Sequence, residues 1–305
     1  MLIVLWPIAA SAQTAPPPGV LGLSLRRAAN GALGILAYNS IPDTSASSLA
    51  IDRGDQGDPG LDILQFGVGF TMSDSFPLYL EGFAGASRYD PRFIFSDGQQ
   101  ERDVPTRWNS AAATIGVGWD FRISEHWVIR PIANFSLGTV RSDASLAGSL
   151  IDYRTNVDLE FLQRGKLNAY GVGGSLMLDY EYVSPGVELD LELRWTQLHL
   201  TAFDSSRAVR GSADAATANV WGRVRWPTGW EMFGSPLRYV LDGSFSSFFM
   251  DQRDALGFNN LAKLGAGLEF DISKTGIPGQ RVRIMGRYLF GENVSGASLG
   301  FAISF

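Results

Sequence analysis

The chain has 305 residues, a formal net charge of −6 at pH 7 and no cysteine, which excludes a disulfide framework and any thiolate metal site. The balanced, slightly acidic charge argues against a nucleic-acid partner. Aromatic residues make up 12 % of the chain and glycines number 35, yet the mean hydropathy is near zero, as expected when half of each strand faces lipid and half faces water.

The first twelve residues have the pattern of an export signal. Residues 1–12 are apolar and end in Ala10-Ser11-Ala12, an A-x-A cleavage pattern, although no Lys or Arg precedes the apolar run. We therefore interpret residues 1–12 as a signal peptide, with an ordinary hydrophobic N-terminus as the alternative. This interpretation favours export from the cytoplasm; together with the strand pattern described below, it predicts the outer membrane of a Gram-negative bacterium as the location.

Residues 13–40 are predicted to be an N-terminal linker followed by a helix in the lumen of a barrel. Residues 20–38 contain enough Ala and Leu for a helix, although Asn30-Gly31 interrupts it. The alternative makes Gly31–Tyr38 a strand. Arg26 and Arg27 would dock on Glu188, Asp190 and Glu192 and so seat the helix as a plug.

From residue 61 onward, segments of about ten residues show period-two alternation. In Val187–Trp195 apolar residues alternate with Glu188, Asp190, Glu192 and Arg194, a pattern that a water-filled lumen tolerates and a soluble core does not. The eleven predicted strands are 62–71, 78–89, 108–121, 127–137, 168–181, 187–195, 217–226, 237–249, 261–271, 281–290 and 297–305.

Bacterial barrels have an even number of strands, which places one more strand upstream, at Ser45–Ile51. The sequence therefore predicts an all-β fold: a transmembrane antiparallel β-barrel of about twelve strands over residues 41–305, with an N-terminal helix or plug segment in the lumen. A secreted β-sandwich is the alternative on composition.

The connections predict how the barrel sits in the membrane. Short turns near residues 73, 124, 185 and 274 are expected in the periplasm, and longer loops near 97, 150, 208 and 254 outside the cell. Pro227–Pro236 is longer than this rule prefers. Outward aromatic residues then form a periplasmic girdle, and the closing strand presents Phe301, Ile303 and Phe305 as the C-terminal assembly signal. The predicted girdle consists of Phe70, Phe121, Trp127, Tyr180, Trp226, Tyr239, Phe270 and Phe305, with Trp195, Phe249, Tyr288 and Phe290 toward the outer leaflet.

Several stretches resemble a known family: Ile41–Leu49, Phe76–Gly82, Arg88–Phe93, Pro105–Asn109, Gly116–Phe121 and Arg238–Val240. Together with the closing strand they are similar to the solitary outer-membrane autotransporter-like β-barrel proteins. The resemblance implies a barrel like an autotransporter translocator domain, which is twelve-stranded with a helix threaded through its lumen. It implies no catalytic residue, and only about thirty residues of the expected mature chain precede the first strand, so no passenger is expected.

The alternation of odd and even positions along the predicted strands, called parity below, assigns a set of charged side chains to the lumen. They would either create a transverse field that selects solutes by charge or pair with one another as a lattice on the wall. We favour the lattice, because Glu188 and Arg225 lie near the same end of adjacent predicted strands. The predicted lumen charges are Glu81, Arg130, Glu188, Asp190, Glu192, Arg194, Arg223, Arg225, Arg238, Asp242, Glu269, Arg281, Arg283 and Arg287.

The function predicted from the sequence is a narrow or plugged outer-membrane pore without catalytic activity, metal or cofactor. One alternative is an enzyme acting on lipid or protein through His199, although no Gly-x-Ser-x-Gly elbow is present. Another is a surface receptor or adhesion barrel that uses the loops 90–107 and 140–167. The expected partners are outer-membrane lipids including lipopolysaccharide, and the barrel-assembly machinery during biogenesis; the expected state is a monomer.

Overall fold

The computed structural model describes residues 32–42, 48–52, 61–89, 92–96, 101–105, 108–142, 166–203, 211–232, 234–256, 258–273, 280–292 and 294–304. The predicted signal peptide, Arg26, Arg27, Phe305 and the side chain of Ile303 lie outside these residues.

Two helices and fifteen strands are present in the described residues. The helices are α1 (residues 32–40) and α2 (Asp251–Leu256). The strands are β1 (Ser48–Asp52), β2 (Leu61–Thr71), β3 (Leu78–Tyr89), β4 (Arg92–Ser96), β5 (Glu101–Pro105), β6 (Trp108–Trp119), β7 (Phe121–Arg122), β8 (Trp127–Ser142), β9 (Lys166–Val183), β10 (Glu188–Phe203), β11 (Ser212–Met232), β12 (Ser235–Met250), β13 (Asn260–Asp271), β14 (Arg281–Gly291) and β15 (Val294–Ser304).

Thirteen of these strands form one antiparallel sheet that closes on itself. β1 pairs with both β2 and β15, since Ser48 lies opposite Leu64 on one side and Leu299 on the other. β3 pairs with β6 and β6 with β8, while β7 continues β6 beyond Asp120 along the same neighbour. The wall in the described residues thus has twelve strand positions, which confirms the predicted architecture and strand number.

The first strand begins later than predicted in the described residues. Its predicted span was Ser45–Ile51, whereas β1 runs over Ser48–Asp52 and residues 43–47 lie outside the described part of the chain. A hairpin of β4 and β5, which within the described residues pair only with each other, forms in the segment predicted as a loop between β3 and β6.

The two ends of the barrel differ in their connections. At one end, called the short-turn end, residues 72–77, 123–126 and 184–187 join neighbouring strands. At the other, called the long-loop end, residues 90–107, 143–165 and 204–211 separate them. This is the division of turns and loops that the sequence predicted.

The connection between β11 and β12 differs from the prediction of a long turn over Pro227–Pro236. β11 continues to Met232 and β12 begins at Ser235, with a register shift between Pro227 and Glu231. Gly229 lies within this irregularity and Gly234 in the turn that follows β11; both adopt left-handed backbone conformations, with φ of +82° and +73°, which glycine accommodates readily.

Side chains alternate between the lumen and the outer surface along the strands. In β10 the even-numbered residues from Glu188 to Leu200 are buried, and Leu189, Leu193 and Trp195 are among the exposed odd-numbered ones. The alternation follows from the pleat of a β-strand, which directs successive Cβ atoms to opposite faces. The outer surface of this barrel is consequently apolar, and its polar side chains are collected inside.

Helix α1 lies inside the barrel. Its residues Ala32, Leu33 and Leu36 are fully buried and pack against wall residues at the long-loop end, among them Leu198 and Ala215. The prediction of a helix in the lumen is confirmed, and the alternative of a strand over Gly31–Tyr38 is wrong for the described residues 32–38. No helix in the described part of the chain is long and apolar enough to cross a membrane.

Candidate functional site: the barrel lumen

The long-loop half of the lumen is an apolar seat for α1. Small wall residues such as Ala112, Ala169 and Ala213 leave room for the helix, and Leu167 and Leu200 fill the remaining space. Burial of this apolar surface stabilises the helix in its seat, since each fully buried Leu contributes about 1.5–3 kcal/mol.

Two wall glycines allow α1 to approach the wall closely. A Cβ atom at position 85 would lie 2.6 Å from the carbonyl oxygen of Asn39, and one at position 138 would lie 2.6 Å from Leu36 Cδ1. Only a residue without a side chain fits such positions without movement of the helix or the wall.

Polar contacts fix the C-terminal end of α1. Asn39 Nδ2 donates to Ser87 Oγ at 2.8 Å and to Ser110 Oγ at 2.5 Å, and Thr114 Oγ1 donates to the carbonyl oxygen of Ser40 at 2.6 Å. Because the last carbonyl groups of a helix lack partners within the helix, the Thr114 hydroxyl satisfies one that the lumen would otherwise leave unpaired.

The segment between β12 and β13 covers the helix from the long-loop end. Met250 adopts φ of +59°, an uncommon conformation for a residue with a side chain, and α2 begins directly after it. Leu256 and Phe258 are buried, and the Phe248 ring lies 5.6 Å from the rings of both Tyr38 and Phe258. The segment lies at the long-loop end, as the sequence predicts, but Gln252, Leu256 and Phe258 are buried and not solvated. The sequence does not predict their burial, because it depends on contacts distant in sequence, such as those with Tyr38 and Thr217.

A salt bridge crosses the lumen below α1. Arg194 on β10 donates through Nη1 and Nη2 to the two carboxylate oxygens of Glu81 on β3, at 2.9 and 2.6 Å. Their side chains are only 4 % and 5 % exposed. Three strands separate β3 from β10 around the wall, so the bidentate pair joins distant parts of the barrel.

Neutral side chains surround this pair and complete the mid-lumen cluster, defined as Glu81, Asn134, Ser175, Arg194 and Thr196. Asn134 Nδ2 donates to Glu81 Oε1 at 2.9 Å, and Arg194 donates to Ser175 and Thr196 at 3.0 and 3.1 Å. Buried charges are costly unless paired and hydrogen-bonded, and the cluster meets both conditions.

Gly116 creates the space in which the mid-lumen cluster forms. It lies between Glu81 and Asn134 in the strand register, on β6. A Cβ atom there would stand 2.5 Å from Glu81 Oε1 and 2.7 Å from Asn134 Nδ2. The glycine lets side chains on strands that are not neighbours meet. Gly265 has the same position between Asp242 and Arg287 in the strand register. Arg287 Nη2 donates to Asp242 Oδ2 at 2.5 Å across it.

A second group of charges, the short-turn ion cluster, occupies the lumen near the short-turn end. Arg223 donates to Asp190 at 2.7 Å, and Arg225 lies 3.0 Å from Asp190 and 3.1 Å from Glu188. Arg283 pairs with Glu269 on the neighbouring strand. The complete cluster is Glu188, Asp190, Arg223, Arg225, Arg238, Glu269, Arg281 and Arg283.

These contacts have the geometry of a lattice of ion pairs along the wall. Asp190 and Arg223, Glu188 and Arg225, and Glu269 and Arg283 are directly opposite one another in the strand register. Glu188 and Asp190, two of the three predicted acceptors for Arg26 and Arg27, are already bound by wall arginines. Docking of the N-terminal arginines on Glu188, Asp190 and Glu192 remains a prediction, because both arginines lie outside the described residues.

Arg130 joins three strands at the short-turn end. Its guanidinium pairs with Asp120, lies 3.5 Å from Asp179 Oδ2 and stacks 4.0 Å from the centre of the Tyr79 ring. Asp120 lies between β6 and β7, outside the strands. Burial raises the pKa of Asp120, but hydrogen bonds from Arg130 and Thr71 outweigh it and hold that pKa below its ordinary value.

The remaining predicted lumen charges are also inward. Glu192 is buried on β10 between Asp190 and Arg194. Sequence parity alone could not show which neutral side chains hydrogen-bond which charges, or where glycines leave room for these contacts. The signal that could have indicated Asn134, Ser175 and Thr196 is that they follow the same inward parity as their charged neighbours.

His199 lies on the outer surface, near the long-loop end. Its Nδ1 stands 2.7 Å from Asp214 Oδ1, and both side chains are half-exposed. The residues directly opposite His199 on the two adjacent strands are Asp214 and Val172, and neither carries a hydroxyl. Beside His199 an open groove of about 420 Å³ is lined by Leu176, Trp195, Gln197 and the two glycines 173 and 174.

In the described residues, no group of three or more His, Asp or Glu side chains is arranged to hold a metal ion. No family model matches the chain, and no curated protein matches it.

Several solved structures share the barrel architecture. The β domain of the Bordetella autotransporter Brka is 12 % identical, with a TM-score of 0.49 over 85 % of this chain and 97 % of that one. The transport unit of the autotransporter AIDA-I from Escherichia coli is 13 % identical, with a TM-score of 0.46 over 91 % and 99 %. The NanC porin is 11 % identical, with a TM-score of 0.39 over 85 % and 98 %.

At these identities and scores, the matches carry no argument about what the chain binds or transports. The assignment of a closed antiparallel β-barrel stands on the strand pairing, and its outer-membrane type on the apolar outer surface. The autotransporter-like resemblance predicted from the sequence agrees with the architecture of the first two matches.

Proposed function

We propose that this chain is an outer-membrane β-barrel of the autotransporter translocator type whose N-terminal helix closes the pore. The observation that carries the proposal is the complete burial of α1 in the long-loop half of the lumen. α2 and Phe258 add a second covering layer, and the mid-lumen cluster adds a charged barrier beneath.

The surface pattern supports a Gram-negative outer membrane as the location. Aromatic side chains gather where the predicted girdle requires them: the Trp127 and Tyr180 rings are 4.8 Å apart near the short-turn end, and the Trp195 and Phe249 rings are 5.4 Å apart toward the long-loop end. Aromatic residues at the two ends of an apolar band fit the two interfaces of a bilayer. In this orientation the short turns face the periplasm, and lipopolysaccharide surrounds the long-loop end.

Planar-bilayer recordings test whether α1 closes the pore. The full-length protein is expected to show low conductance, and deletion of residues 13–40 is expected to raise it strongly, because the apolar seat would fill with water and ions. A large conductance that the deletion leaves unchanged would refute the plug.

A reversible cross-link gives a sharper form of this experiment, since the chain has no native cysteine. A Cβ atom at position 138 would lie 3.1 Å from Leu36 Cγ. In a disulfide the sulfur of one cysteine is about 3.0 Å from the Cβ of the other, given an S–S bond of about 2.04 Å. The pair Leu36→Cys and Gly138→Cys should therefore form a disulfide that keeps the pore closed under oxidising conditions. Leu36→Cys alone is the control, and an oxidised pair that conducts like the deletion variant would contradict the proposal.

Lipid hydrolysis is the second candidate function, favoured by the His199–Asp214 contact beside an outward groove. An imidazole held by a carboxylate can activate a hydroxyl nucleophile. This candidate predicts that the protein hydrolyses phospholipid or lipopolysaccharide in mixed micelles and that His199→Ala abolishes the activity. Lack of hydrolysis by the folded, unmodified protein would eliminate it.

A further inference from the structure

The short-turn end of the lumen presents guanidinium groups in front of carboxylates. In the short-turn ion cluster the carboxylate side chains of Glu188 and Glu269 are 6 % and 1 % exposed. Those of Arg238 and Arg281 are 25 % and 27 % exposed. A solute that enters from the short-turn end therefore reaches the two arginines before it reaches any of the acids that pair with them.

Arg238 and Arg281 stand side by side with donor capacity left over. Their Nη1 atoms lie 2.5 and 2.6 Å from the two oxygens of Glu188, and 3.9 and 3.4 Å from Glu269 Oε1. Each of these contacts uses Nη1, whereas a guanidinium carries five N–H donors on three nitrogens. The exposed parts of both groups can thus donate to a further acceptor.

The carboxylates at the rim leave this position accessible. Asp271 is opposite Arg281 in the register, but its Oδ1 accepts hydrogen bonds from the backbone N–H and the hydroxyl of Ser273, at 2.8 and 2.5 Å. Glu181 is exposed on β9, three strands from Arg238 around the wall. The arginine side of the rim therefore faces the lumen with positive groups.

We propose that Arg238 and Arg281 form an anion-binding site that takes a small solute bearing a phosphate group. A phosphate offers several acceptor oxygens and up to two negative charges, so it can form paired N–H···O bonds with both guanidiniums at once. A chloride ion carries a single charge and has no separate oxygens for such paired bonds, so it should bind more weakly. Glu188 and Glu269 hold the two arginines in place from behind. The site does not depend on closure of the pore, because it opens toward the end opposite α1.

Calorimetric titration of the refolded full-length protein with inorganic phosphate, at ionic strength fixed by NaCl, tests the site. Saturable binding is expected, and the double variant Arg238→Gln/Arg281→Gln should bind at least tenfold more weakly. Arg122→Gln is the matched control: Arg122 is an exposed arginine at the same end, paired with Asp74 outside the cluster, and its loss should leave binding unchanged.

Two results would overturn the proposal. One is a heat of titration with phosphate that does not differ from the heat of titration with chloride, and the other is a folded double variant that binds phosphate as tightly as the parent. Heat-modifiable gel mobility identifies the folded protein. If the double variant does not fold, the single variant Arg238→Gln is titrated in its place. It is expected to fold, because Arg225 and Arg281 still pair with Glu188. This single variant should bind at least threefold more weakly, and unchanged binding would count against the site.

Discussion

At the scale of single residues, the lumen shows how a barrel of this width keeps charges inside without leaving them isolated. Glu81 and Arg194 are almost completely buried, and each has partners beyond the salt bridge. In such a setting, the penalty for removing one partner exceeds the net value of the pair, because the remaining charge stays buried and unpaired.

Removal of one charge from the mid-lumen pair should therefore destabilise the barrel. We expect Arg194→Gln to lower the free energy of unfolding by about 3–5 kcal/mol. Urea unfolding in detergent, followed by tryptophan fluorescence, measures this. Asp74→Asn is the control, because its pair with Arg122 is exposed to solvent and should leave the unfolding midpoint unchanged. Equal midpoints for Arg194→Gln and the parent would contradict the described pair.

The space left by the missing side chain of Gly116 predicts that adding a single methyl group there lowers the free energy of unfolding. Gly116→Ala should cost about 1–3 kcal/mol, because its Cβ would press against Glu81 and Asn134. Gly82→Ala is the matched control, since the nearest atom to its Cβ would be Val68 Cγ1 at 3.7 Å, an ordinary contact. The same urea experiment compares the two; equal midpoints for the two variants would show that the gap is not needed.

The lowered pKa of Asp120 predicts a pH dependence of stability. A carboxylate whose pKa is lower in the folded state stabilises the fold at pH values above its ordinary pKa of 3.8, and this contribution is lost as the pH falls through the folded value. Asp120→Asn should thus be less stable than the parent at pH 7, and the difference should shrink below pH 3.8. A difference that is constant from pH 7 to pH 3 would mean that the charge of Asp120 is irrelevant.

At the scale of elements, the helices α1 and α2 are not part of the hydrogen-bonded wall. α1 is held by apolar packing and by a few hydrogen bonds, which Asn39 donates to Ser87 and Ser110 and which Ser40 accepts from Thr114. The wall strands, in contrast, are held by continuous ladders. We therefore expect the seat of α1 to fail before the barrel does.

Truncation of one α1 side chain tests this order. Leu36→Ala leaves a cavity in a fully buried position, a change that costs about 2–5 kcal/mol in well-packed cores. We expect frequent channel openings in planar bilayers while the heat-modifiable, folded band persists. Leu299→Ala, on the exposed outer face, is the control and should remain closed. A Leu36→Ala variant as closed as the parent would show that this packing does not hold the helix.

The elements also show what the sequence could and could not predict. Alternation in β10 gave the correct face for every charged residue, because parity depends only on the pleat. It could not show which residues on distant strands lie at the same level along the barrel axis. The Glu81–Arg194 salt bridge across the lumen therefore could not be predicted. For the β11–β12 hairpin the sequence predicts a long turn, because Pro227, Thr228 and Gly229 have the composition of a turn. In the structure the strand pairing resumes at Glu231.

At the scale of the whole molecule, the barrel has three layers between its two ends. An apolar seat with α1 and α2 occupies the long-loop half, the mid-lumen cluster follows, and the short-turn ion cluster opens at the other end. In the proposed function this arrangement is a pore with one closed end and one charged vestibule. All of it depends on one premise, that the exposed apolar residues of each strand face lipid.

Single-cysteine labelling of β10 tests this premise most directly, since the chain has no cysteine of its own. A bimane label at each position from 188 to 195, in protein reconstituted in bilayers with brominated lipids, reports contact with the hydrocarbon. We predict strong quenching at Leu189, Leu191, Leu193 and Trp195, and weak quenching at Glu188, Asp190, Glu192 and Arg194. Quenching without alternation, or weak quenching at the odd-numbered positions, would contradict a membrane-spanning barrel.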